Sequence, residues 1–234
     1  DKEIFIAGEG NLLAGFDYSN ADARAMASLS GDHEFAKRFT ELDEDGNEIH
    51  DGHNLSGDAL FGADVYYGDL PPEKSSKPPL RPVAKMSGLS LQYNVGAKTL
   101  TAQINKAASK LGLPPFTVPQ VAEMIKSFDS SYRFLKRYKD DIVEFAQAMG
   151  YVEMPNGRRL IVDPERAWTQ APGLAGQGFT RMCMAESLVR IARLGDYWLR
   201  SLRAVIHDEL LVELNAGTIE EDMEVIRKNM ETAP

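Results

Sequence analysis

One small hairpin aside, the strand-like segments of this chain lie at its two ends, and that distribution constrains the fold more than any other feature. Residues 11–17, Asn-Leu-Leu-Ala-Gly-Phe-Asp, form an apolar run closed by Asp17. Far along the chain, residues 202–206 and 210–214 form two more runs on either side of His207-Asp208-Glu209. Short runs rich in Leu, Val and Ile, stopped by polar residues, read as strands. The interior carries helical spacing instead, so the end strands find partners only in each other and share one sheet. The fold class that follows is α+β, a small antiparallel sheet with a mostly helical insertion. Asp17 falls at a strand-to-helix junction, and His207, Asp208 and Glu209 occupy the turn of a hairpin.

The interior divides by its punctuation. Ser19 to Leu29, rich in Ala, reads as a helix, whereas 62–79 holds Gly62, Gly68, Pro71-Pro72 and Pro78-Pro79 and reads as a loop. Pro82 suits a helical first turn, and the next segment runs without proline from Arg81 to about Val95, ending near Gly96. Thr117-Val118-Pro119-Gln120 is a capping box before a long helix or broken helix pair closed by Gly150. Pro155-Asn156-Gly157 joins two short strands in a hairpin. Residues 174–200 read as a helix, and a last helix starts at Thr218 with Glu221 closing its box. No internal repeat is evident.

A chain of 234 residues, 43% hydrophobic, buries a real core as one large domain or two modest ones. The single cysteine, Cys183, excludes an intrachain disulfide, and no apolar run is long enough to span a membrane, which points to a reducing cytoplasm. The net charge of −9 is uneven. Residues 1–70 carry 16 acidic and 4 basic side chains, leaving 22 basic and 19 acidic for the remainder. Basic groups cluster at Lys136, Arg137 and Lys139, at Arg158 and Arg159, and at Arg181, Arg190, Arg193, Arg200 and Arg203. Such clusters supply local positive surface for phosphates, or simply solvated helix faces.

Two groups of residues carry chemistry. Asp17 and Asp208, each at a strand end of one sheet, would meet without flexible reach, and two carboxylates with open positions favour Mg²⁺, with Mn²⁺ a substitute. Between them, Arg81, Lys85, Leu89 and Tyr93 are spaced by four, so they share one slowly drifting helical stripe. Two cations followed by an apolar and an aromatic residue suit a triphosphate, then a sugar and base, or else an ordinary amphipathic helix. His50 and His53 lie one helical turn apart, but no third soft ligand is near them in sequence to complete a metal site.

The order of acidic strand end, cationic helix and His-Asp-Glu hairpin resembles the three signature motifs of the family A DNA polymerases, the polymerase I-like enzymes of bacteria and bacteriophages. The resemblance spans nearly the whole chain. Asp17-Tyr18-Ser19-Asn20-Ala21-Asp22-Ala23-Arg24 is similar to the first palm motif, which implies a metal-binding Asp17 and a backbone carbonyl from Tyr18. Arg81-Pro82-Val83-Ala84-Lys85, running on through Leu89 to Tyr93, is similar to the nucleotide-binding fingers helix, and Glu48-Ile49-His50 to an upstream element that makes His50 a phosphate contact. Gln177-Gly178 resembles a primer-template contact, and His207-Asp208-Glu209 the last palm motif. Three departures stand out: Asp22 where the family usually has Glu, Leu89 where Phe or Tyr is normal, and Asn94 where Gly follows the tyrosine.

The resemblance implies palm segments at 1–32 and 166–234 around fingers at 33–165, with the thumb and exonuclease region supplied elsewhere, in the same or another chain. It implies a DNA-directed DNA polymerase core using two Mg²⁺ ions, primer-template DNA and deoxynucleoside triphosphates. Asp17, Asp208 and Glu209 would be catalytic, with Asp17, Tyr18 and Asp208 holding metal. Arg81, Lys85, Leu89, Tyr93, Asp22 and His50 would bind nucleotide, and Arg24, Gln177 and His207 DNA. The rivals are a noncatalytic DNA-binding or assembly subunit of a split polymerase, and a relative of the single-subunit RNA polymerases.

Overall fold

A computed structural model describes residues 4–46, 48–73 and 75–232. In chain order the elements are β1 (Asn11–Asp17), α1 (Ala21–Ser30), α2 (His33–Thr40), α3 (Gly52–Phe61), α4 (Ala63–Tyr67), α5 (Arg81–Leu91) and α6 (Ala97–Lys110). There follow α7 (Val118–Ser131), α8 (Arg133–Met149), β2 (Tyr151–Glu153), β3 (Arg159–Ile161), α9 (Ala167–Arg193), α10 (Asp196–Ser201), β4 (Leu202–Ile206), β5 (Glu209–Asn215) and α11 (Ile219–Glu231). They divide into two compact units, one made of Asp1–Asp22 with Gln177–Pro234 and the other of Ala23–Gly176, so the boundary passes through α1 and α9. The fold is α+β, with a small antiparallel sheet in the first unit and a largely helical second unit.

In the first unit the end strands pair as their sequence requires. The sheet order is β1-β5-β4, antiparallel throughout, with Asp17 opposite Glu209 and Ile206 opposite Glu209 across the hairpin. Alternation sorts the faces. Ala14 and Phe16 from β1 and Tyr18 just past its end, with Leu210, Val212 and Leu214 from β5, pack against Met184 and Ile191 of α9 and Ile226 and Met230 of α11. Asp17, Gly15 and Glu209 therefore lie on the other face. A register shift between Leu202 and Ala204 sets Arg203 apart from the ladder, where its guanidinium bonds Glu213 at 2.9 Å.

The second unit packs α2, α3, α5, α6, α7 and the start of α8 around Phe35, Leu91, Leu100, Ile104, Phe128 and Leu135, all buried. The capping box at Thr117 and Gln120 is present, and the long helical stretch breaks at Tyr132 into α7 and α8. Gly150 ends α8 in the left-handed conformation at φ 74°, and Gly157 at φ 81° turns the β2-β3 hairpin. Thr218 sits at the start of α11 without capping a backbone amide, its hydroxyl bonding Asp222 instead.

Several boundaries differ from expectation: the segment 62–79 read as a loop holds the short helix α4, the helix read over 174–200 begins at Ala167 and breaks at 194–195 before α10, and Glu209 opens β5 and leaves only His207 and Asp208 in the turn. The cationic helix stops at Leu91, not near Val95, because Asn94 adopts a left-handed φ of 54° and the chain turns at residues 92–94. Two neighbours hold that turn. Lys139, buried on α8, donates to the Leu91 carbonyl at 2.9 Å, and Asn94 exchanges two hydrogen bonds with Trp168. The second has a clear cause: Pro172 inside α9 has no N–H to give the carbonyl four residues back, and the Asn94 amide satisfies that Trp168 oxygen at 3.2 Å.

Candidate active site

The carboxylates of the first unit are gathered by backbone pairing. The last ladder position sets Asp17 beside Glu209, and one residue further the Tyr18 amide donates to the Asp208 carbonyl at 3.2 Å. Tyr18 turns inward, where its hydroxyl donates to the Met230 carbonyl at 3.0 Å and lies 2.7 Å from Ser187 Oγ. Burial raises the Tyr18 hydroxyl pKa, with the Ser187 contact opposing. With Tyr18 fixed to the core side, strand alternation turns Asp17 outward, where it is exposed. Gly15 leaves the space that the neighbouring carboxylate fills, since a Cβ there would lie 2.6 Å from Glu209 Oε1.

Beside this edge lies an open cavity of about 400 Å³ lined by Asp22, Gln177, Thr180, Arg181, His207 and Asp208. Thr180 donates to Asp22 Oδ1 at 3.1 Å, so a partner on α9 holds the short carboxylate. His207 takes φ 59° at the first position of the two-residue turn, a conformation that favours glycine.

The donors at this edge are hard oxygens: the Asp17, Asp208 and Glu209 carboxylates and the Tyr18 carbonyl, which accepts from the Ala21 amide at 3.3 Å and keeps a second lone pair. That donor set fits Mg²⁺, which prefers few carboxylates and keeps waters and phosphate oxygens as further ligands. Among the described residues no three His, Cys, Asp or Glu side chains form a ready metal cage. Cys183 adds no soft ligand here, since burial pushes its thiol pKa up.

In the second unit, the stripe on α5 divides into an anchored start and an exposed middle. Arg81 forms an ion pair with Asp51, which also caps α3 by accepting from the amides of His53 at 2.8 Å and Asn54 at 3.0 Å. Burial alone would raise the Asp51 pKa, but the Arg81 guanidinium and these amides hold it below the usual carboxylate range. Lys85 and Leu89 are exposed, and Lys85 has no ion pair or hydrogen bond among the described residues. Tyr93 lies beyond the helix end, its ring seated over Gly173 and Gly176 of α9 at 3.9 and 3.5 Å from the positions a Cβ would take.

A protein-family comparison matches residues 2–234 to the model described as DNA polymerase family A. The chain belongs to that family. It is 29% identical over 215 residues to the DNA polymerase of Mycobacterium phage D29, covering 92% of this chain and 31% of that polymerase. It is 25% identical over 245 residues to the thermostable DNA polymerase I of Thermus filiformis, covering 99% of this chain and 26% of the relative. Thus the family A chain spans about a third or less of these relatives' length. A solved structure, the POL domain of Pol1 from M. smegmatis in complex with DNA primer-template and dNTP, shares the fold over 100% of this chain and 39% of that one, with TM-score 0.75 and 23% identity.

Other candidate residues of this family A chain are engaged locally. Arg24 bonds Glu48 at 2.5 Å and stacks over Phe39, with its guanidinium carbon 4.8 Å from the ring centre. The His50 ring lies 2.6 Å from Glu41 and lines a cavity of about 370 Å³ that also includes Glu34, Lys37 and Asp58. Gln177 is exposed on α9. Sequence reasoning missed Asp51, Thr180 and Gly15. Asp51 carried a signal, an acidic residue before a helical segment; the roles of the other two depend on packing between distant segments.

Proposed function

We propose that this chain is the palm and fingers portion of a DNA-directed DNA polymerase, the palm being the unit of residues 1–22 and 177–234 and the fingers the unit of residues 23–176. The observation that carries the reading is the meeting of Asp17 with Asp208 and Glu209 at one end of the β1-β5 ladder. Asp17, Asp208 and the Tyr18 carbonyl would hold Mg²⁺, with Glu209 in support. When bound, two such ions favour the ionised primer 3′-hydroxyl and neutralise charge on the departing pyrophosphate. The 3′-oxygen attacks the α-phosphate, forming the new P–O bond as the bond to pyrophosphate breaks.

The chain's own groups do the positioning. Arg81 supplies a planar fork and Lys85 a mobile point charge for the triphosphate. Leu89 and Tyr93 offer apolar and aromatic surface to sugar and base, and Gln177, Arg24 and His207 contact the primer-template. Asp22, held by Thr180, faces the nucleotide sugar with one methylene less than the usual Glu. The test is primer extension with Mg²⁺ by the complete gene product. Asp17→Ala and Asp208→Ala should each abolish extension while leaving primer-template affinity within about threefold, and normal extension by either variant would refute the metal assignment.

A further inference from the structure

The break between α7 and α8 opens a cavity of about 670 Å³ within the helical unit, lined by Lys126, Asp129 and Ser130 from α7 and by Arg133 and Lys136 from α8. Asp129, the carboxylate in that lining, is answered from beneath. Lys139, three residues past Lys136 and buried, pairs with Asp129 at 3.4 Å while donating to the Leu91 carbonyl at 2.9 Å. Lys126 and Lys136 hold surface ion pairs with Glu123 and Asp140. Pairs of that kind hold weakly and yield to a phosphate. Arg133 has neither an ion pair nor a side-chain hydrogen bond among the described residues. The next residue, Phe134, stands 60% exposed at the same helix start.

We propose that this surface binds a single DNA strand, with Lys126, Arg133 and Lys136 on its phosphates and the Phe134 ring stacked on a base. The proposal goes beyond the polymerase reading, which uses none of these residues and from which it takes only DNA as the nucleic acid. Charge decides for a polyanion. With Asp129 matched by Lys139, the Arg133 guanidinium is left in excess, and the paired lysines exchange their carboxylates for phosphate oxygens. An acidic peptide would satisfy the cations alone, whereas a nucleic acid engages cations and ring together, because every base offers a π face. Cations beside an exposed aromatic ring are also the means by which single strands are held without regard to sequence. The ring favours one strand over two, since in a duplex each base face is covered by its neighbours in the stack.

The experiment measures binding of a fluorescein-labelled oligothymidylate to the complete gene product by anisotropy across a salt series. The protein is first saturated with an unlabelled blunt hairpin duplex, so that any duplex-binding surface is occupied. Mg²⁺ is omitted, so that failure of the metal assignment cannot affect the outcome. The double variant Lys126→Gln with Arg133→Gln should weaken binding roughly tenfold or more and lower the slope of log affinity against log salt by about 1.4, the share of two phosphates on a single strand. Phe134→Ala should weaken binding by about 5- to 100-fold, the range for one stacked base, and leave the salt slope unchanged. All three side chains are exposed, so melting temperatures should match wild type, and should one variant fail to fold the other still decides. Unchanged affinity in either folded variant would overturn the proposal. Affinity lost in the double variant but kept in Phe134→Ala, with polyglutamate displacing the probe, would give the surface to an acidic protein instead. Equal weakening toward a labelled blunt duplex, probed without the hairpin, would also overturn it, because the surface would then take phosphates whether or not the strand is paired.

Discussion

Gly15→Ala separates catalysis from stability at the carboxylate edge. The added methyl would sit 2.6 Å from Glu209 Oε1 and 3.7 Å from its Cδ, with no other atom closer than 4 Å. Reaching an ordinary 3.4 Å contact moves that oxygen by about 0.8 Å, and the far end of a glutamate side chain can move at little energetic cost. Glycine inside a strand is less favourable than alanine by about 0.5–1 kcal/mol, so the variant should be as stable as wild type or slightly more so. A thermal melt should shift by no more than a few degrees. Catalysis should not be spared, because a misplacement of about 1 Å in a reacting constellation costs up to roughly 100-fold. Single-turnover primer extension with Mg²⁺ should therefore slow by about 10- to 100-fold. In the double variant with Glu209→Gln, the glycine substitution should add little, since both changes act on one carboxylate. A folded Gly15→Ala enzyme extending at the wild-type rate would refute the placement of Glu209 in the chemistry.

Two further predictions concern stability. Gly57→Ala should destabilise by about 2–4 kcal/mol, because its Cβ would lie 2.1 Å from the ring of Tyr66, which is fully buried, stacked on Phe61 and bonded to Asn54, and the helix-propensity gain of about 1 kcal/mol cannot offset that overlap; a denaturant melt equal to wild type would contradict the packing. Asp51→Asn keeps a good helix cap but removes the charge facing Arg81, and should cost roughly 1–2 kcal/mol at neutral pH. The folded-state pKa of Asp51 is depressed, so its contribution is complete above the ordinary value of 3.8 and fades as pH falls through the lower folded value. The gap between wild type and variant should therefore close in acid, and a gap that persists there would argue against the ion pair.

Much of the architecture was legible because it followed from local chemistry. The end strands could pair only with each other, the Thr117 box and Gly150 mark helix limits, and Asn156-Gly157 turns the hairpin. The end of α5 was not legible, because the spacing through Tyr93 fits a helix as well as it fits the observed turn. What decides is Pro172, about eighty residues on, whose missing amide leaves Trp168 needing a donor that Asn94 supplies. The carboxylate edge was readable from strand ends alone, but the surroundings of each histidine were not. His50 and His53 look alike in sequence, and only packing shows that Glu41 takes one while the other stands half-buried on α3.

The turn at residues 207–208 ties the fold to the proposed site through strain. A two-residue hairpin matching the strand twist needs a positive φ at its first position, where glycine carries no steric penalty. This chain places His207 there, at φ 59°, a conformation that costs a residue with a Cβ roughly 1 kcal/mol or more. Glycine would fold the turn more easily but would bring no side chain to the primer-template contact proposed for His207. His207 helps line the cavity shared with Asp208, Asp22, Gln177, Thr180 and Arg181. The same turn fixes Asp208, whose carbonyl receives the Tyr18 amide. A longer loop would relieve the strain but let Asp208 move relative to Asp17. The short strained turn therefore holds the two carboxylate strands in register and keeps an imidazole at the cavity, and both arrangements depend on residue 207 accepting the unfavourable conformation.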